Sequence, residues 1–266
     1  MIFKHHLFKK LMKFKILASK KDPAARNIAA ELEKLGVKPV YLETDSIYSE
    51  NIDKQLFGDI FIFISKHKAE QKSKTLTIHA PGNWRNADFG GQPGRVCLTA
   101  SFFLKHLFMI LDEKAKGSEY KVSMEVTHHG PYMEKPCCFI EIGSGEEEWQ
   151  DKNAAKIVAE AVKQAISTDI GIGWVSAIGI GGPHYCPNFN KIQASEKYAL
   201  GHIIPEYALP LDEKMLKQAM ENTLPQPELA ILDWKGLGKA EQRQEILQLL
   251  EQAGLKYIRT DKAREQ

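Results

Sequence analysis

At 266 residues the chain can bury one large core or two small ones. Hydrophobic residues make up 43% and charged residues 26%, as in ordinary soluble globular proteins, and no apolar run approaches the roughly 20 residues that span a bilayer, which argues against a membrane partner. A net charge of +2 excludes the strong global field of a dedicated nucleic-acid binder, although the first 74 residues are basic on balance.

Residues 1–11 (MIFKHHLFKKL) are basic and apolar and precede a second methionine, Met12. They lack the long apolar stretch and small-residue cleavage site of a secretory signal, so they read as an extension, with His5 and His6 outside the function. The fold is expected to begin with a strand at residues 14–18. Asp22-Pro23 supplies an N-cap and a proline at the first helical position. The helix it opens covers residues 24–35, with Ile28, Ala29, Leu32 and Leu35 on one face and Gly36 ending it. A strand at 40–43 follows, then a polar connection over 44–57 with a helical turn. Ile60-Phe61-Ile62-Phe63-Ile64 has no polar alternation, which suits a central strand covered on both faces. It delivers Ser65-Lys66-His67-Lys68-Ala69-Glu70 to its end, and a short strand at 76–78 delivers His79.

Residues 83–94 (NWRNADFGGQPG) form the longest stretch without periodicity, expected to be a binding loop or lid. It is no phosphate P-loop, because the closing Gly-Lys-Ser/Thr is missing. A strongly apolar helix spans 99–116, with His106 in a packing or surface role. A strand at 120–126 runs into Thr127-His128-His129-Gly130-Pro131, and another covers 137–142. The acidic run 146–148 precedes a helix at 150–167 and suits its N-terminus electrostatically. The strand at 174–180 ends in Gly181-Gly182-Pro183-His184-Tyr185. A strand at 198–204, which carries His202 near its end, helices at 212–222 and 238–252, and strands at 229–232 and 256–258 complete the pattern. This alternation predicts an α/β fold: a three-layer sandwich around a mainly parallel or mixed central sheet. No linker interrupts it, so residues 12–266 read as a single domain.

The cysteines Cys97, Cys137, Cys138 and Cys186 include no CxxC pair, and adjacent Cys137 and Cys138 point to opposite faces of a strand. Reduced thiols and a cytoplasmic location fit best.

Strand ends thus carry His67, His79, His128, His129, His184 and His202, with Glu70, Glu125 and Glu141. In open α/β sheets ligands collect where strands finish, and imidazole is both a common metal ligand and a proton carrier near neutral pH. There is no HExxH or HxH, so a metal site would have to be assembled from separate strands. His128 and His129 point apart in extended chain and meet at one centre only if the backbone turns between them, which Gly130-Pro131 permits. Glu125, three residues before His128, faces the opposite side of an ideal strand and reads as a core-edge residue.

Ser65-Lys66-His67-Lys68, Thr127-His128-His129-Gly130-Pro131 and Gly181-Gly182-Pro183-His184-Tyr185, in this order, resemble the archaeal and plant type of D-aminoacyl-tRNA deacylase, over about residues 12–258. The resemblance implies a fold similar to peptidyl-tRNA hydrolases and nucleoside phosphorylases. It also implies a Zn2+-binding hydrolase that cleaves the ester between a D-amino acid and tRNA, with no obligate protein partner. His67, His128, His129 and His184 carry over as motif residues and are expected to be catalytic, with Glu141 orienting one of them. His67, His79, His128 and His184 are the expected metal ligands. Lys66, Lys68, Arg85, Gly181, Gly182 and Tyr185 are the expected substrate contacts, with Arg95 a further phosphate contact. Two alternatives stay open at this point: another hydrolase or phosphorylase acting on a nucleoside or peptide, and a non-enzymatic RNA-binding module. The second is disfavoured because Phe61 and Phe63 sit in an apolar run that looks buried.

Overall fold

A computed structural model describes residues 12–70, 72–195 and 197–264; the extension expected at residues 1–11 lies outside them. The first part of the chain forms β1 (Phe14–Ser19), α1 (Pro23–Lys34), β2 (Val40–Leu42), β3 (Ile60–Lys66) and β4 (Thr75–His79). Three two-residue strands, β5 (Gly82–Asn83), β6 (Arg95–Val96) and β7 (Thr99–Ala100), lead to α2 (Ser101–Ala115), β8 (Lys121–Met124), β9 (Cys137–Gly143), α3 (Glu146–Gln150) and α4 (Lys152–Ser167). The remainder comprises β10 (Val175–Ile180), α5 (Pro187–Gln193), β11 (Tyr198–Ile204), α6 (Glu213–Glu221), β12 (Thr223–Leu224), β13 (Leu229–Leu232), α7 (Ala240–Gln252), β14 (Lys256–Arg259) and α8 (Thr260–Ala263).

Six strands make the central mixed sheet, in the order β2-β1-β3-β9-β4-β8. Its pairs are parallel except β4 against β9. The strands beyond residue 174 do not extend it. Four of them form a second, parallel sheet in the order β11-β10-β13-β14, and β12 pairs with β7. Strand–helix alternation predicts both sheets equally well and cannot say where one stops. Both α2 and α5 pack against β8 of the first sheet and β11 of the second, which joins the two.

The unbroken apolar run of β3 works as expected. Ile60, Ile62 and Ile64 enter the core shared with α1, α2 and α4. Phe61 and Phe63 enter the opposite core with Leu42, Cys97, Tyr132 and Phe139. Each such buried side chain contributes roughly 1.5–3 kcal/mol. Cys137 and Cys138 divide between the same two cores. The second face is covered by connecting chain with short 3-10 turns (Ile47, Ile52, Leu56, Met133) rather than by α-helices, which leaves room on that side for a cleft. The helix expected at 150–167 is interrupted at Asp151, whose carboxylate accepts from the N–H groups of Asn153 (2.7 Å) and Ala154 (3.3 Å) and caps α4.

Candidate functional site

The strands deliver their polar residues to one place, though not to a parallel-sheet edge. Because β4 runs antiparallel to β9, His67 past the end of β3 and His79 at the end of β4 approach from opposite directions. They meet over Glu141 in the middle of β9. Residues 125–127 then leave the first sheet for the second: Glu125 N–H donates to Ile78 O (3.1 Å), Val126 N–H to His184 O (3.0 Å) and Thr127 N–H to Ile203 O (3.0 Å). The site therefore forms where the two sheets join.

Each ring is held by local chain. Asp22 caps α1 through Ala25 N–H (3.0 Å) and also accepts from Ser65 Oγ (3.0 Å) and Lys66 N–H (2.8 Å), tying the helix start to the end of β3. His67 is then fixed by its own N–H on Ile142 O (2.9 Å) and by Trp149 Nε1 donating to its carbonyl (2.9 Å). His129 has φ +44°, in the left-handed region that ordinary residues rarely adopt. This is the turn that two adjacent histidines require, and it brings their ring centres to 4.3 Å. His79 lies 4.4 Å from His128 and 4.8 Å from His129, and His184 lies 4.7 Å from His128.

Glu125 is the hub. Its oxygens lie 3.1 Å from His67 Nδ1, 3.4 Å from His128 Nε2 and 3.1 Å from His184 Nε2. All three are within reach, yet both oxygens are buried without a well-aligned hydrogen bond, as is His79 Nε2, 3.7 Å from Glu141. Burial alone would raise the Glu125 pKa; pairing with His184, His67 and His79 outweighs it and holds the carboxyl well below its usual range. Burial likewise pulls His67 down, but Glu141 and Glu125 reverse this and its pKa is raised. His128 and His129 are kept neutral by burial and by neighbouring rings, His129 with a pKa lowered to about 4.

Neutral His128 and His129 donate through Nδ1 to Val126 O (2.8 Å) and Gly130 O (2.6 Å), which leaves the lone pair on Nε2. For His128 that lone pair faces a carboxylate oxygen, a repulsive arrangement unless a cation lies between. Ring N–H groups on backbone carbonyls, with lone pairs collected around bare carboxylates, fit a metal-binding donor set. One ligand atom from each of His79, His128 and His129 lies within 4.8 Å of the others, and the same holds for His67, Glu125 and His184 and for His79, Glu125 and Glu141.

The cluster opens into a cleft of about 1030 Å³, lined by His67, His128, His129, Glu141 and His184 together with Lys66, Lys68 and Arg85. Tyr185 joins it through its hydroxyl, 2.8 Å from His67 Nε2. Arg85 reaches the cleft but is engaged by Ala208 O (3.1 Å), Pro210 O (2.5 Å) and Asp212 (3.5 Å). Arg95 is packed on Tyr132 and bonded to its hydroxyl (2.5 Å), away from the cleft lining. Gly181 and Gly182 shape the turn before His184 without lining the cleft; Gly181 N–H donates to Ile204 O (2.8 Å) and Gly182 O accepts from Glu206 N–H (3.0 Å). His202 lies inside β11, with Nδ1 on Thr127 Oγ1 (3.0 Å) and Nε2 on Cys97 O (2.8 Å), and is a core residue. Glu125, read from the sequence as a core-edge residue, instead stands among the histidines. A carboxylate between Met124 and Val126 in an otherwise apolar strand end was the available signal.

An α/β fold in which buried histidines and carboxylates converge on a cleft defines an enzyme of the acid–base, metal-capable class. A family model for D-aminoacyl-tRNA deacylase matches residues 55–258. The chain is 34% identical over 261 residues to a D-aminoacyl-tRNA deacylase of Methanocaldococcus jannaschii, covering 93% of this chain and 100% of that one. It is 37% identical over 239 residues to one of Methanococcus vannielii, covering 85% and 91%. The crystal structure of a conserved protein of unknown function matches with a TM-score of 0.88 at 29% identity, over 96% of this chain and 97% of that one. The chain belongs to the D-aminoacyl-tRNA deacylase family.

Proposed function

We propose that the chain hydrolyses the ester between a D-amino acid and the 3′ end of tRNA at the histidine–glutamate cluster, releasing free D-amino acid and reusable tRNA in the cytoplasm. Among the described residues no helix is long and apolar enough to cross a membrane. The observation that carries the assignment of the cluster is Glu125, a fully buried carboxylate with bare oxygens ringed by imidazoles.

His79, His128 and His129, with Glu125 and Glu141 beside them, would hold a divalent cation, and their mix of imidazole and carboxylate suits Zn2+. When bound, it would supply Lewis acidity, polarising a carbonyl and acidifying water. His67 is the proton carrier. Glu125 and Glu141 hold its Nδ1 side and raise its pKa, leaving Nε2 to exchange protons beside the Tyr185 hydroxyl. Water adds to the ester carbonyl carbon and its proton passes to His67. As the carbon–oxygen bond to the ribose breaks, His67 returns that proton to the departing ribose oxygen. His184, partly exposed and anchored on Glu125 through Nε2 (3.1 Å), lines the cleft beside it.

The test is incubation of the purified protein with D-Tyr-tRNA and L-Tyr-tRNA, with and without a chelator. Release of tyrosine from the D-ester alone, lost on chelation, is the expected result. Undiminished cleavage in chelator would remove the cation, and equal cleavage of the L-ester would remove the substrate assignment.

A further inference from the structure

Large apolar side chains left in water need an explanation when they gather at one opening. Among the described residues three exposed aromatics line the same cleft: Tyr48 (51% exposed), Phe89 (65%) and Tyr207 (63%). They come from segments far apart in the chain, and each is held on short, tied backbone. Tyr48 closes a 3-10 turn, Ser46–Tyr48, and its ring lies against Gly90. Phe89 sits in the long loop, where its carbonyl accepts from Gly130 N–H (2.9 Å), one residue past His129. Asn83 Nδ2 donates to the next carbonyl, of Gly90 (2.8 Å), and Gly91 N–H donates to Glu50 (2.6 Å), so the loop is pinned on both sides of its tip. Tyr207 lies in the turn Glu206–Ala208, fastened to the His184 loop by Glu206 N–H on Gly182 O (3.0 Å).

We propose that these three rings are a stacking platform for the unpaired 3′-terminal nucleotides of the tRNA, with the base next to the ester on Phe89. The proposal rests on the substrate reading above and names the part of the substrate that the cleft grips. A cleft of about 1030 Å³ exceeds the need of an amino acid and suits an aminoacyl group with its terminal nucleoside. Lys66 and Lys68 line the same opening and match the phosphates that join such nucleotides. Aromatic faces beside lysines are the chemistry that single-stranded ends require, because every base has a face to stack whatever its sequence.

The probe is an uncharged RNA hairpin with a single-stranded 3′ overhang ending in 2-aminopurine in place of the terminal adenine. Binding to the unmodified protein is expected to quench its fluorescence. Phe89→Ala and Tyr207→Ala are expected to weaken binding by roughly 5- to 150-fold each and restore the fluorescence. The same variants should bind a blunt-ended hairpin like the unmodified protein does. Phe57→Ala removes an aromatic that is 73% exposed, precedes β3 and lies outside the cleft, and should change nothing. Unaltered affinity and quenching in both cleft variants would overturn the platform. So would a loss that depends on the attached amino acid, measured with D-Tyr and D-Ala esters, since the rings would then read the amino-acid side chain. Because the 2-aminopurine hairpin carries no amino acid, the affinity and quenching results on it are independent of whether the protein cleaves the D-ester.

Discussion

His79 and His202 are equally buried, both with no exposed surface, and they show what burial means for one side chain in two settings. Both ring nitrogens of His202 have neutral partners in the protein, and burial alone lowers its pKa to about 4. His79 has one nitrogen on Ala80 O (3.3 Å) and the other bare, pointing toward Glu141. Burial pulls it down too, but Glu141 and Glu125 reverse the sign and its pKa is raised. A satisfied ring belongs to the framework, whereas a bare ring among carboxylates is poised for a proton or a cation.

The strongest way to break this contrast is Glu125→Gln. Without that charge the three surrounding imidazoles lose their common anchor, and kcat/KM on D-aminoacyl-tRNA should fall roughly 100- to 10,000-fold in single-turnover assays, with the melting transition still cooperative. The next test falls on His202. Its pKa is depressed from 6.5 to about 4, so the unfolded chain binds the extra proton within that window. The stability this ring contributes is complete above the unfolded pKa and is lost as pH falls toward 4, up to about 3 kcal/mol for the single group. Urea titrations across this range should resolve it, and His202→Gln should flatten the acid dependence while leaving the chemical rate unchanged. His79→Asn is expected to cost roughly 10- to 100-fold in activity and to lower bound metal measured by mass spectrometry. A variant with full activity would make His79 another framework ring. The smallest effect belongs to the cleft lysines. Lys66→Ala and Lys68→Ala should each weaken tRNA binding modestly and reduce the salt slope by about one, seen in binding titrations at several salt concentrations.

Much of this was legible along the chain. Asp22-Pro23 announced α1, the run from Ile60 to Ile64 announced a strand buried on both faces, and Gly130-Pro131 allowed for the turn that His129 makes. Glu125 was misread because strand alternation was carried past Met124. The backbone leaves β8 there: Glu125 N–H still donates to Ile78 O of the first sheet, but Val126 N–H goes to His184 O in the loop after β10 and Thr127 N–H to Ile203 O of the second sheet. Alternation has no meaning across such a junction. The meeting of His67 with His79 was hidden for a related reason: it depends on β4 running antiparallel to β9, a long-range pairing that no local pattern encodes. Arg85 and Arg95 read as free charges because their partners, Pro210, Asp212 and Tyr132, lie far away in sequence.

The long loop meets the histidine turn backbone to backbone, with Gly130 N–H on Phe89 O (2.9 Å). A side chain at Gly130 would strike Gly90, Gly91 and Ile47, and one at Gly90 would strike the Ile47 carbonyl. With no room for a side chain between them, the wall bearing Phe89 and the bend bearing His129 pack backbone against backbone, tied by that hydrogen bond. The width of the cleft beside the histidine cluster is therefore set here by main-chain thickness, and swinging this loop aside would break its backbone tie to the bend that carries His129.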